Sequence, residues 1–231
     1  NSTREVAQGG RRGALMLSVA IKHPDSEKFI DAKMVQGKVT GANVSVKIDD
    51  EFMRAVESEE LYTQQYPVYS DNPMVSQQVN AKALWNKIIH NAWSSAEPGV
   101  LFWDTILRES VPDCYADLGY RTVSTNPCGE IPLCPYDSCR LMSMNLYGFV
   151  IRPFQTTAFF DFEKLEYYSY IQLLLADLAI DLEIERVEKI IDRILTDDNN
   201  PPKEIAELEA KTWMNIQRQA YSGRRCGCGF T

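Results

Sequence analysis

Ser124-Thr125-Asn126-Pro127-Cys128-Gly129-Glu130-Ile131-Pro132-Leu133 is the stretch around which the rest of the chain is read. In an extended segment, side chains at i, i+2 and i+4 project to one side, about 6.6 Å per two residues. On that geometry Asn126, Cys128 and Glu130 form one polar row, an amide, a thiol and a carboxylate facing a common substrate. Pro127 fixes φ and removes a backbone donor, while Gly129 lacks a Cβ and lets another group come close. The same five residues also read as a turn, because Asn-Pro and Gly punctuate loops.

The chain continues through Pro135-Tyr136-Asp137-Ser138-Cys139-Arg140-Leu141-Met142-Ser143-Met144-Asn145-Leu146. Together the two runs resemble the active-site segment of the ribonucleotide reductase large subunit: N-P-C-G-E, a short spacer, then S-C-x-L-x-S-x-N-L. Alternating apolar runs and helical patterns point to α/β on their own. The resemblance implies something sharper, part of a ten-stranded α/β barrel of two five-stranded halves, with the reactive cysteine on a central finger loop. Residues 1–231 are then expected to form an incomplete catalytic barrel domain.

The resemblance also implies a chemistry and a set of partners. The substrate is a ribonucleotide, and the reaction replaces its 2′-hydroxyl by hydrogen. Cys128 becomes a thiyl radical and abstracts the 3′ hydrogen, Glu130 is the base on the 3′-hydroxyl, and Asn126 holds the ribose hydroxyls. Cys139 is one of two thiols that supply the reducing equivalents and end as a disulfide, reset by a thioredoxin-like reductant. The loop Gln36, Gly37, Lys38, Val39, Thr40, Gly41 and Ala42 reports a bound allosteric nucleotide to the substrate base. The radical source is external, adenosylcobalamin or a metal-containing radical-generating subunit, and the fragment itself binds no cofactor and no metal.

In the family the second redox cysteine lies upstream of the glycine-rich entry, whereas here the first cysteine is Cys114. The expectation is therefore a split reductase, its barrel completed by complementary chains, with Cys226 or Cys228 as a less favoured substitute thiol. The alternative is a catalytically silent nucleotide-binding or regulatory piece of the same fold.

Composition limits the other classes. A formal charge of −8 with 24% charged residues argues against nucleic acid and anionic membranes, because neutralising phosphates takes clustered Lys and Arg. No apolar run reaches the roughly 20 residues of a membrane span, and Asn1-Ser2-Thr3-Arg4-Glu5 does not read as a secretory signal. Six cysteines in a chain with 45% hydrophobic residues read as thiols in a reducing cytoplasm rather than as staples. Cys128, Cys134 and Cys139, separated by five and four residues, do not make the paired tight knuckles usual in structural zinc sites, and Cys226-Gly-Cys228 is too short for one. Cys114 and Cys134 read as small buried hydrophobes.

Along the chain, Gln8-Gly9-Gly10-Arg11-Arg12-Gly13 precedes an apolar run, Ala14 to Ile21, that reads as a strand buried on both faces. Asp25 or Ser26 caps a short helix ending near Lys33. Asn43 to Ile48 alternates polar and apolar, a strand with one polar face, and Asp49-Asp50 opens a helix to Ser58. Glu59 to Asn80 reads as a polar, irregular excursion. Leu84, Trp85, Ile88, Ile89, Ala92 and Trp93 mark one helix face, and Pro98-Gly99 turns into a buried strand. Cys139 to Val150 reads as a strand with Cys139, Ser143 and Asn145 on its polar parity. From Asp161 the pattern is helical, broken at Asp197 to Pro202 and resumed to Tyr221. Ser222 to Thr231 resembles a glycine-rich motif that in the family enters another barrel strand, with Cys226 where threonine is usual.

Overall fold

The computed structural model describes residues 13–35, 37, 39–197 and 202–231, so Gln8 to Arg12 of the glycine-rich opening lie outside it. The chain divides into two compact units, Asn1–Pro132 and Leu133–Thr231.

In the first unit, strands β1 (Met16–Ala20), β2 (Asn43–Ile48) and β5 (Gly99–Phe102) form a parallel sheet in the order β1-β2-β5. Alternation along β2 works as its sequence predicts. Val44, Val46 and Ile48 are buried, and the last two enter a core with Ile21, Phe52, Tyr62 and Ile88. Asn43, Ser45 and Lys47 have the opposite parity. Gly99 opens β5 because the strands lie tight together: a Cβ there would stand 2.7 Å from Ser45 Oγ. Four helices surround the sheet in sequence, α1 (Ser26–Ile30), α2 (Asp50–Ser58), α3 (Ala81–Ser95) and α4 (Trp103–Glu109).

Helix starts are set by caps. Asp49 Oδ1 accepts from Phe52 N at 2.7 Å, and Asn80 Oδ1 accepts from Ala83 N at 2.8 Å. Asn80→Ala leaves that donor unsatisfied and is expected to cost about 1 kcal/mol in urea unfolding.

Several sequence expectations need correction. Residues Glu59 to Asn80 are no irregular excursion, because β3 (Leu61–Tyr66) and β4 (Val75–Asn80) pair antiparallel as a hairpin. Gln64 is fully buried within it, its Nε2 donating to Ile21 O at 2.8 Å and Ser26 Oγ at 2.7 Å, which makes a core position look polar. On α3, Leu84, Ile88 and Asn91 are buried while Ile89 and Trp93 are exposed. Asn91 replaces an apolar residue because its amide donates to Ile30 O at 3.1 Å. In β1, Leu17 is 40% exposed, so only one face of that strand is covered.

In the second unit, β8 (Arg140–Met144) and β11 (Cys226–Phe230) are parallel neighbours, joined through α5 (Phe162–Thr196) and α6 (Lys203–Gly223). The C-terminal glycine-rich residues are therefore themselves a strand. α5 spans both strands, with Gln172 Nε2 donating to Met142 O at 2.9 Å and Gly229 O at 3.3 Å. The strand expected to run from Cys139 to Val150 ends at Met144. Asn145 Oδ1 accepts from Tyr147 N and caps a 3-10 helix, Leu146–Phe149, which leads to the short antiparallel pair β9 (Val150–Ile151) and β10 (Phe159–Phe160).

The architecture is α/β with parallel strands, as expected. Among the described residues those strands form a sheet of three and a pair rather than a closed barrel. No helix among them is long and apolar enough to cross a membrane.

Candidate functional site

The segment from Ser124 is a finger whose tip is a turn. β6 (Ser124–Thr125) and β7 (Pro132–Leu133) pair at its base, and Asn126 N donates to Ile131 O at 3.2 Å. Gly129 N donates to Asn126 O at 3.0 Å, with Pro127 and Cys128 at the corner. The extended row of Asn126, Cys128 and Glu130 is thereby overturned. The physical reason is Asn126 itself, whose Oδ1 accepts from Ile131 N at 2.9 Å and bends the chain back. Among the described residues its Nδ2 donors have no partner. Cys128 and Glu130 are both exposed at the turned tip.

Gly129 has φ +88°, and a Cβ would meet Leu101 Cδ2 at 3.4 Å. Gly129→Ala is expected to lower the unfolding free energy by about 1–2 kcal/mol, the cost of a left-handed residue with a Cβ, measured by urea titration.

The polar parity of β2 holds the finger. Asn43 Nδ2 donates to Pro127 O at 2.9 Å, and Lys47 Nζ donates to Val123 O at 2.5 Å while lying 4.0 Å from the centre of the Trp103 ring. The finger therefore runs antiparallel to β2, its stem at the carboxyl end and its tip at the amino end. Asn43 and Lys47 were not singled out from sequence, although the Asn43/Ser45/Lys47 alternation was the available signal. Losing the Asn43 bond, worth about 1 kcal/mol, is expected to speed iodoacetamide alkylation of Cys128 about fivefold in Asn43→Ala.

The tip thus lies beside the end of the 34–42 loop. Gln36 and Lys38 fall outside the described residues, while Gly37, Val39, Thr40, Gly41 and Ala42 lead directly into Asn43. Glu97 staples the two ends of this loop: its Oε2 pairs with Lys33 Nζ at 2.7 Å and its Oε1 accepts from Val44 N at 3.2 Å.

In the second unit, Cys139 sits between two anchored residues. Ser138 Oγ donates to Glu183 Oε1 at 3.0 Å, and Arg140 Nε donates to Glu183 Oε2 at 2.7 Å. Asp137 pairs with Arg225 Nε at 2.6 Å, both side chains under 10% exposed, and Arg225 Nη2 reaches Cys134 Sγ at 3.3 Å. Register aligns Cys226 with Arg140 and Cys228 with Met142, and aligned residues of parallel strands share a side. Cys139 lies just before β8, one residue ahead of Arg140.

All six cysteines are thiols. Burial pushes the Cys226 thiol above the usual range, and nearby Cys228 adds to the effect. Cys134 is buried as expected, whereas Cys114 is exposed, with Sγ directed at Val111 O. No three His, Cys, Asp or Glu side chains among the described residues gather as a metal site.

Comparison with known proteins gives the family. The chain is 32% identical over 194 residues to a vitamin B12-dependent ribonucleoside-diphosphate reductase of Thermoplasma acidophilum, a match covering 82% of this chain and 24% of that protein. A vitamin B12-dependent ribonucleoside-diphosphate reductase of Mycobacterium tuberculosis is 38% identical over 144 residues, 61% of this chain and 20% of its own length. The chain thus spans about a quarter or less of these relatives. The class Id ribonucleotide reductase alpha subunit of Actinobacillus ureae shares the fold, with a TM-score of 0.59 at 17% identity over 95% of this chain and 34% of that one. The family described as the ribonucleotide reductase barrel domain matches residues 1–197, finger and Cys139 included, and the chain belongs to that family.

Proposed function

We propose that this chain supplies the thiyl-radical cysteine of a ribonucleotide reductase. The observation that carries the reading is the finger tip, which exposes Cys128 and Glu130 beside the amide of Asn126. The Cys128 thiyl takes the ribose 3′ hydrogen, and Glu130 takes the 3′-hydroxyl proton. The 2′-hydroxyl then leaves as water on a proton from one of the two redox thiols, Cys139 and the second thiol deliver two reducing equivalents and become a disulfide, Glu130 returns its proton to the 3′ oxygen, and Cys128 returns its hydrogen to C3′. Asn126 Nδ2 donates to a ribose hydroxyl. The stapled loop from Gln36 to Ala42, ending at the Asn43 tether, relays a bound nucleotide to the tip.

Residues 1–231 form part of one catalytic barrel. The outer edges of β1 and β5 are unpaired among the described residues, and unpaired edges are an association liability. The named dependence of the relatives favours adenosylcobalamin over a metal-containing subunit as the external radical source. A thioredoxin-like dithiol resets the disulfide.

The test is competition between a ribonucleotide and its 3′-deuterated form in the assembled system. Faster consumption of the protio form is expected. Equal consumption counts against hydrogen abstraction at C3′.

A further inference from the structure

A cavity of about 500 Å³ opens at the carboxyl ends of β1, β2 and β5, away from the finger tip and beside its stem. In open parallel sheets this is the end at which ligands bind. Its walls are mixed: Val68, Leu107 and Trp103 give apolar surface, while Lys22, Lys47 and Arg121 bring positive charge. Lys22 is paired with Glu51 at 2.6 Å. The lining acids Asp49 and Asp104 are likewise committed. Asp49 accepts from Phe52 N and Tyr62 Oη, and Asp104 Oδ2 accepts from Asp50 N at 2.8 Å.

Lys47 and Arg121 stand apart, since neither forms an ion pair among the described residues. The Lys47 ammonium has three donors, of which Val123 O takes one, and its other contact is the Trp103 ring. Burial pushes it below the ordinary lysine range, with no carboxylate opposing that shift. Lys47 is half-buried, and a half-buried ammonium with no carboxylate beside it can take an anion as its partner.

We propose that this cavity binds an organic anion, a phosphate or carboxylate on an apolar body, with its charge held by Lys47 and Arg121. The inference concerns binding and stands apart from the reductase reading. An occupant that draws Lys47 from Val123 O also loosens the finger stem upstream of Cys128, which makes the cavity a point of control over the tip.

Pyridoxal phosphate is a suitable probe for the full chain, because its aldehyde condenses with an unprotonated amine while its phosphate occupies the anion position. Borohydride fixes the adduct, and peptide mass spectrometry locates it. Lys47 is expected to be modified about tenfold faster than the exposed Lys203, on the scale of one charge-assisted hydrogen bond. Pyridoxal, which lacks the phosphate, loses that preference, and Arg121→Gln reduces it. Protection by phenyl phosphate identifies a phosphate ligand, and protection by benzoate a carboxylate. Modification of Lys47 no faster than Lys203, an equal preference with pyridoxal, or protection by neither anion overturns the proposal.

Discussion

Cys128→Ser is expected to abolish deoxyribonucleotide formation in the assembled enzyme, by at least about 10⁴-fold, the scale on which losing an essential nucleophile acts. Serine keeps size and shape, but its O–H bond is too strong to be replaced by a working oxygen radical of the same role. Because Cys128 is exposed at the tip, the substitution removes no core contact, and urea unfolding is expected to be unchanged. Chromatographic assay of product beside an unfolding curve separates the two effects. Turnover at the native rate would remove Cys128 from the mechanism, whereas a large stability loss would make it a structural residue.

Arg225→Ala is expected to be the most damaging substitution in the second unit, at about 3–5 kcal/mol, the cost of leaving a buried charge unpaired. Arg225 and Asp137 are 9% and 4% exposed and meet at 2.6 Å. Removing the guanidinium strands the Asp137 carboxylate, whose remaining partners are the backbone donors Cys134 N and Ser138 N. The double variant Arg225→Met with Asp137→Leu removes both charges and is expected to recover most of the loss. Denaturant titration of the two variants measures the difference. A double variant as unstable as the single one would show that packing, not charge, is at stake. The same pair holds the turn before Cys139, so Arg225→Ala is also expected to slow reduction by a dithiol.

What could be read from the sequence was what is local. The alternation of Asn43 to Ile48, the Asp49 cap and the long helical pattern after Asp161 each depend on neighbours a few residues apart, and each is present. The N-P-C-G-E and S-C-x-L-x-S-x-N-L runs are local too, which is why the family was legible. Most of the failures depend on partners that the chain brings in from elsewhere. Gln64 and Asn91 look like surface residues until the carbonyls of Ile21 and Ile30 arrive to satisfy them. Period-2 geometry made the finger extended, but the Asn126 side chain closes it on Ile131. Neither the Asn43 and Lys47 tethers nor the Arg225–Asp137 pair can be inferred from spacing, because the fold alone brings their partners together.

The most direct measurement is native mass spectrometry of the assembly drawn from its own host on this chain, followed by incubation with a ribonucleotide, a dithiol and adenosylcobalamin. The expected result is a product carrying hydrogen in place of the 2′-hydroxyl. A lone folded chain that binds nucleotide and forms no deoxyribonucleotide would contradict it and make Cys128 a silent remnant.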